Sequence, residues 1–268
     1  MNKHRIIADG LTQFLYIDVN NLYGCALSQK LPCGDFQWPR GEGEIDHVMA
    51  LIRYGGDLDQ ERGYVSEVDI EIPAEIYDKL DQFPIAPETK SLPGNNVKKH
   101  LLTHEPKINY VVHGKLLQMY VKLGALVTKA HRIVSFKQAP IFAEYIDYNT
   151  KMRALVKCEF VRNFYKLKCN SLYGKTVENL MKRLNLRLCN NVKKLVTYTS
   201  KARFRRSSQI DQDLVAVLDI PSYIGQVVLD LSKLLMYQLH YEELQVYREK
   251  FACEINIFAG DIDSFFLV

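Results

Sequence analysis

Residues 12 to 19, Thr-Gln-Phe-Leu-Tyr-Ile-Asp-Val, form a mostly apolar run rich in aromatic and β-branched residues, the pattern of a buried strand that delivers Asp18 at its end. From 31 to 62 turn residues are frequent (Pro32, Gly34, Pro39, Gly41, Gly43, Gly55, Gly56), which predicts a loop-rich stretch with one short helix near 44 to 53. Strands are predicted at 63 to 72 and 107 to 113, then a helix at 114 to 123 and a strand at 125 to 137. Between 141 and 181 the apolar positions take helical spacing (Ile141, Tyr145, Tyr148, Met152, Leu155, then Phe160, Phe164, Leu167, Leu172), which predicts two helices with a break near 157 to 159. Residues 182 to 206 alternate short apolar and polar groups and read as a twisted hairpin or loop. A helix follows Pro221 over 222 to 249. The chain ends in a strand over Cys253 to Phe258, a tight turn through Gly260, Asp261, Ile262 and Asp263, and a second strand to Val268.

Composition narrows the class without naming a function. The 268 residues are 47% hydrophobic and 25% charged, which excludes collagen-like and disordered chains, and no apolar run is long enough to span a membrane. The six cysteines, with no C-x-x-C pair and no leader ahead of them, read as reduced thiols of an intracellular protein. The net charge of +4 hides two unlike halves: residues 1 to 100 carry 10 basic and 16 acidic side chains, the remainder 25 and 15. Residues 182 to 206 alone hold nine Lys and Arg and no acid, a block that suggests a polyanionic partner. His100 and His104 have helical spacing for a metal, but with no third ligand nearby they read as a solvated helix end or loop.

Three constellations carry chemistry. Asp18-Val19-Asn20-Asn21-Leu22-Tyr23-Gly24 lies where a strand gives way to a helix, a place for a carboxylate to hold a cation beside a phosphate, or simply to cap the helix. In the segment Lys166 to Lys175, a helix puts Lys166, Asn170 and Tyr173 at i, i+4 and i+7, with Arg162 one turn earlier. That face suits a triphosphate and its nucleoside, or is a charged solvated surface. Gly260-Asp261-Ile262-Asp263-Ser264 sets two carboxylates in one turn between apolar runs, costly unless cations neutralise them, or else a surface hairpin. A strand-borne Asp, a cationic helix and a D-x-D hairpin are the parts that two-metal phosphoryl transfer requires.

In this order the blocks resemble motifs A, B and C of family B DNA polymerases, D-x-x-S-L-Y-P, K-x-x-x-N-S-x-Y-G and Y-x-D-T-D-S. Strings between them resemble the protein-primed branch of adenoviruses, some phages, linear plasmids and Maverick/Polinton-type elements. They include His131-Arg132-Ile133-Val134-Ser135-Phe136-Lys137-Gln138, Gly174-Lys175-Thr176-Val177-Glu178-Asn179, and Tyr223-Ile224-Gly225 leading to Leu231-Ser232-Lys233. The resemblance implies an α+β fold: a palm of antiparallel sheet and helices, helical fingers and two insertions, with exonuclease and thumb absent. The divisions expected are 1–30 (palm with motif A), 31–138 (a first, terminal-protein-region-like insertion and the return to the palm), 139–182 (fingers with motif B), 183–222 (a second, basic insertion) and 223–268 (palm with motif C).

It also implies a DNA-directed DNA polymerase acting in DNA replication, protein-primed and present as a fragment; the alternative is an inactive remnant that still binds nucleic acid and nucleotides. Two magnesium ions are expected on Asp18, Asp263 and the Val19 carbonyl, with Asp261 an ancillary acid. Leu22, Tyr23, Arg162, Lys166, Asn170 and Tyr173 are expected around the nucleotide, Tyr23 under the sugar and Arg162 and Lys166 on the phosphates. Lys175, Lys182, Arg183, Lys193, Lys194, Arg203, Arg205 and Arg206 are expected along DNA. Expected partners are template-primer DNA, deoxynucleoside triphosphates and a priming terminal protein, with no membrane, in the nucleus or at a viral replication site. Asn21 stands where the family pattern has Ser, Gly24 where it has Pro, Ala259 where it has Tyr and Ile262 where it has Thr. Asp69-Ile70-Glu71 has the D-x-E form of the family's exonuclease but follows motif A, so it reads as a strand of the first insertion.

Overall fold

The computed structural model describes residues 2–7, 13–39, 41–91, 97–177, 186–200, 204–211, 214–219, 223–261 and 263–268. Along the chain run β1 (Asn2–Ile7), β2 (Gln13–Asp18), α1 (Leu22–Leu27), β3 (Leu31–Gln37), α2 (Glu42–Arg53), β4 (Arg62–Glu71), α3 (Tyr77–Leu80), β5 (Glu88–Ser91), β6 (Lys98–Leu101), β7 (Lys107–His113), α4 (Gly114–Leu123) and β8 (Leu126–Ala139). There follow α5 (Ala143–Leu155), α6 (Glu159–Val177), β9 (Leu186–Cys189), α7 (Val192–Thr199), β10 (Phe204–Asp211), β11 (Leu214–Asp219), α8 (Tyr223–Gln238), α9 (Leu244–Phe251), β12 (Ile257–Asp261) and β13 (Ser264–Leu267). A π-helical turn, Leu239–Glu243, joins α8 to α9. Among the described residues no helix is long and apolar enough to cross a membrane.

All the described sheets are antiparallel. The first has the order β1-β2-β13-β12, so the two ends of the chain meet in one sheet. Its alternation is that of a sheet with one buried face: Ile17 and Phe265 lie opposite each other and pack on Met236, Leu239 and Leu244 of the helices behind. The other face carries Tyr16, Asp18 and Phe266. A second sheet, β3-β8-β4-β7, holds the larger core with α2, α4 and α8, through Val68, Ile70, Val112, Leu116, Tyr120, Val228 and Leu231. The hairpin β5-β6 leaves this body beside Lys107, which is fully buried; its ammonium lies 3.0 Å from Glu88 and donates to the Thr103 hydroxyl at 2.9 Å.

Asp230 clamps α8 to the start of α4 within the larger core. Its buried carboxylate accepts the His113 backbone N–H at 2.9 Å, at the start of α4, and a hydrogen bond from Gln226 at 3.2 Å. Burial pushes its pKa up against the pull of Lys233 and these donors.

Four local expectations change, the first being that the stretch read as loop-rich opens with strand β3, held by its pairing with β8. The basic block contains a helix, α7, because Asn191 caps it by accepting the Lys193 N–H at 2.8 Å while the helix packs against the β9–β11 strands. The 222–249 helix is broken by the π turn. The last hairpin begins at Ile257, because pairing with β13 rather than apolar content sets where the strand starts.

Candidate active site

Asp18 ends β2, and directly opposite it in the ladder stands Ser264, the residue after Asp263. The Val19 N–H donates to the Asp263 carbonyl at 2.8 Å, so the turn that bears Asp263 is fixed to the strand end that bears Asp18. Tyr16, two residues earlier on the same strand face, donates its hydroxyl to Asp18 Oδ2 at 3.2 Å, and its ring leans on Phe266 with centroids 4.7 Å apart. The Asp263 carboxyl is held above the ordinary carboxylate range, first by burial and then by the negative charges of Asp18 and Asp261, while Lys166 pulls it back down. Two strand-end acids and a lysine from α6 therefore act on the carboxyl of the turn residue Asp263.

The chain leaves β2 through Asn21 in the left-handed region, φ 61°, which turns it into α1. A methyl group on Gly24 would lie 2.0 Å from the Asn21 side-chain nitrogen, so the two departures from the family pattern in this block fit each other: Asn21 occupies the space that a side chain at 24 would fill. One result is the placement of Tyr23, whose ring stacks on Tyr173 of α6 with centroids 3.7 Å apart and planes 10° from parallel. Burial and the Tyr23 hydroxyl hold the Tyr173 phenol above its usual range. The Leu22 side chain is buried in the core behind the sheet.

Helix α6 is held against α1, α5 and α8 by the faces bearing Cys169, Leu172 and Tyr173. Its contact with α8 is close because Gly225 is there: a methyl on it would sit 2.2 Å from the Thr176 carbonyl oxygen. Arg162, Lys166 and Asn170 remain exposed along one stripe. The Arg162 guanidinium donates to the Val156 carbonyl at 3.4 Å.

A sequence profile of DNA polymerase type B, organellar and viral, matches residues 4–193. The chain belongs to this family. Phi29 DNA polymerase in its orthorhombic crystal form matches this chain with a TM-score of 0.50 at 16% identity, over 100% of this chain and 41% of that one. Phi29 DNA polymerase complexed with primer-template DNA, a post-translocation binary complex, matches with a TM-score of 0.51 at 14% identity over the same shares. At these identities the likeness is one of fold, and the chain spans about two-fifths of the Phi29 chain's length. No curated protein matches the sequence.

Elsewhere in the chain, Lys175 is exposed near the end of α6, and Lys193 and Lys194 are exposed on α7. Lys182, Arg183, Arg203 and Ile262 lie outside the described residues, and only the backbone of Arg205 and Arg206 is described. Asp69 lies in the second sheet, where it accepts the Asn109 N–H at 2.8 Å and stands 2.7 Å from His131 Nε2; these partners hold its pKa low and give it a structural role. His100 faces Thr89 across the small hairpin while His104 stacks on Tyr77, so the two do not face a common point. Among the described residues no group of three or more His, Cys, Asp or Glu side chains is arranged to hold a metal ion. Tyr16 is the site residue that motif reading passed over; its signal was its position two residues before Asp18 on a strand.

Proposed function

We propose that the site transfers deoxynucleotides onto a DNA primer end, as part of a protein-primed replicative polymerase. The observation that carries this reading is the turn bearing Asp263 fixed against the strand end bearing Asp18, with the Lys166 charge on α6 felt at the Asp263 carboxyl. Magnesium fits that donor set. The Asp263 carboxyl is raised first by burial and then by two neighbouring acids, with one lysine opposing them, and magnesium is commonly held by one or two carboxylates plus waters and substrate phosphates rather than by an all-protein cage. Asp18, Asp263 and the Val19 carbonyl would hold it. What two such ions supply when bound is acidification of the attacking 3′-hydroxyl and charge neutralisation at the departing pyrophosphate.

The rest falls to the chain's own groups. Tyr16 orients the Asp18 carboxylate through its hydroxyl. Lys166 and Arg162, one helical turn apart, receive the triphosphate and offset its charge. The stacked pair Tyr23 and Tyr173 forms a rigid floor beneath the sugar, where an added 2′-hydroxyl meets an aromatic ring. Asn170 lines the nascent base pair, and Asp261 adds negative potential at the rim. In the same reading residues 31–138 and 183–222 are insertions that meet a priming protein and the DNA, with Lys175, Lys193 and Lys194 along the backbone path.

Primer extension by the chain with magnesium tests the proposal. Incorporation is expected, and Asp18→Asn and Asp263→Asn should each abolish it. Binding of DNA and nucleotide without extension would replace it with the inactive-remnant reading, and extension that survives both substitutions would overturn the assignment of the carboxylates.

A further inference from the structure

Helix α6 has a third face. At about 100° per residue, Phe160, Phe164 and Leu167 form a stripe roughly a third of a turn round from Lys166, and neither α5 nor α8 covers it. Phe160 is 79% exposed, Phe164 48% and Leu167 62%, a cost that a solvated helix has no reason to carry. Lys168 reaches over the stripe's edge, its ammonium 5.0 Å from the Phe164 ring centre and 5.4 Å from that of Tyr165. Asn163 lies between the stripe and the Lys166 face, so the two surfaces are continuous around the helix.

From this we infer that Phe160 and Phe164 are a stacking platform for unpaired template bases on their way to the site. The inference rests on the polymerase reading above. The chemistry favours single-stranded nucleic acid over an apolar protein partner. Rings interleaved with a cation suit bases joined by phosphates, whereas packing a protein surface onto the stripe would strip water from the Lys168 ammonium with no acid beside it on the helix face. Its neighbour around the helix is the proposed nucleotide face, which is where a template strand must arrive. Exposed rings also remain free to release each base, since stacking is tolerant of sequence.

The test uses the full chain and two primer-templates, one whose template strand overhangs by a single nucleotide and one by about six, within the span that single-strand sites cover. Affinity is read by fluorescence anisotropy, and 2-aminopurine placed in the longer overhang reports stacking by quenching. The wild-type chain should prefer the longer overhang by about tenfold and quench the probe, as one or two stacked bases would give. In Phe160→Ala/Phe164→Ala the preference should collapse toward one and the quench should vanish. Phe160→Tyr/Phe164→Tyr should restore both, which separates lost stacking from a misfolded helix. Wild-type affinity indifferent to overhang length, or a preference that survives the alanine pair, overturns the inference while leaving the polymerase reading intact if extension proceeds. Failure to bind any primer-template overturns both. Self-association that the alanine pair abolishes would assign the stripe to a second copy of the chain instead.

Discussion

Gly225→Ala is the substitution that most directly couples packing to chemistry. The added methyl would lie 2.2 Å from the Thr176 carbonyl oxygen, 2.7 Å from its carbon and 2.9 Å from the Val177 Cα, all backbone atoms that no rotamer change can move aside. A carbon tolerates an oxygen at about 3.3 Å, so α6 and α8 must separate by about 1 Å. Overpacking of that kind costs about 1–3 kcal/mol, and a rigid backbone on both sides argues for the upper end, a fall in melting temperature of about 6–12 °C. The same 1 Å is felt at the site, because Lys166, Asn170 and Tyr173 ride on the displaced helix, and misplacement on that scale reduces a rate by about a hundredfold. Circular dichroism melts and single-nucleotide incorporation under single-turnover conditions measure the two effects. Gly174→Ala is the companion: nothing lies within 4 Å of its added methyl, so the helix should gain about 0.5–1 kcal/mol. If Gly225→Ala melts like the wild type, the helices do not approach as described. If it melts low but incorporates at the wild-type rate, the position of α6 does not govern the chemistry.

Three further outcomes follow from particular contacts. Tyr16→Phe should leave the melting temperature within about 1 °C but slow incorporation by about tenfold, since it removes only the hydroxyl that orients Asp18; an unchanged rate would show that the bond is incidental. Asp230→Ala should cost about 2–4 kcal/mol in urea unfolding because it strands the buried His113 N–H, whereas Asp230→Asn, which keeps an acceptor and drops a poorly solvated charge, should cost less than about 1 kcal/mol; equal losses would mean that the charge itself holds the clamp. His113 is pushed down to about 3, by burial and then the Lys115 charge, and His240 to about 4, by burial and then Arg248. Both lie below the unfolded value, so the unfolded chain binds more protons on acidification. Stability from this source is complete above about pH 6.5 and should fall by up to about 1.4 kcal/mol per pH unit for each histidine as pH drops toward 4 and 3, with Asp230, raised by burial, opposing it. Urea midpoints that stay flat from about pH 7 to about pH 5 would refute this.

The elements most legible in the sequence were those whose pattern and packing agree. The strand at β7 and the helix at α4 fall where alternation and spacing put them, and the break between α5 and α6 lies at 156–158, one residue from the expected place. Strand β3 was hidden because its residues, Leu-Pro-Cys-Gly-Asp-Phe-Gln, look like a turn; it exists through an irregular register with β8, with Asp35 at φ 49°. Helix α7 was hidden because Val192, Val196 and Thr197 favour strands locally, and a single cap together with contacts to the neighbouring sheet outweighs them. For the site, the acids and the α6 face were readable as separate pieces, and their order made the family recognisable. That Tyr23 would lie on Tyr173, or that Asn21 and Gly24 compensate each other, depends on side-chain directions that no spacing rule encodes.

The pairing of β2 with β13 has a consequence for how the molecule comes into being. Asp18 and Ser264 face each other across almost the whole chain, a closure whose entropic cost is about 5 kcal/mol by the usual length scaling. Among the described strands β2 pairs with β1 and β13, so the edge that β13 covers waits for residues made about 250 positions later. Contacts of such long range form late and slowly. A ribosome stalled before β13 would therefore present a chain with the larger core already assembled, the Asp263 turn not yet fixed to the end of β2 and an open strand edge, a species suited to chaperones and aggregation.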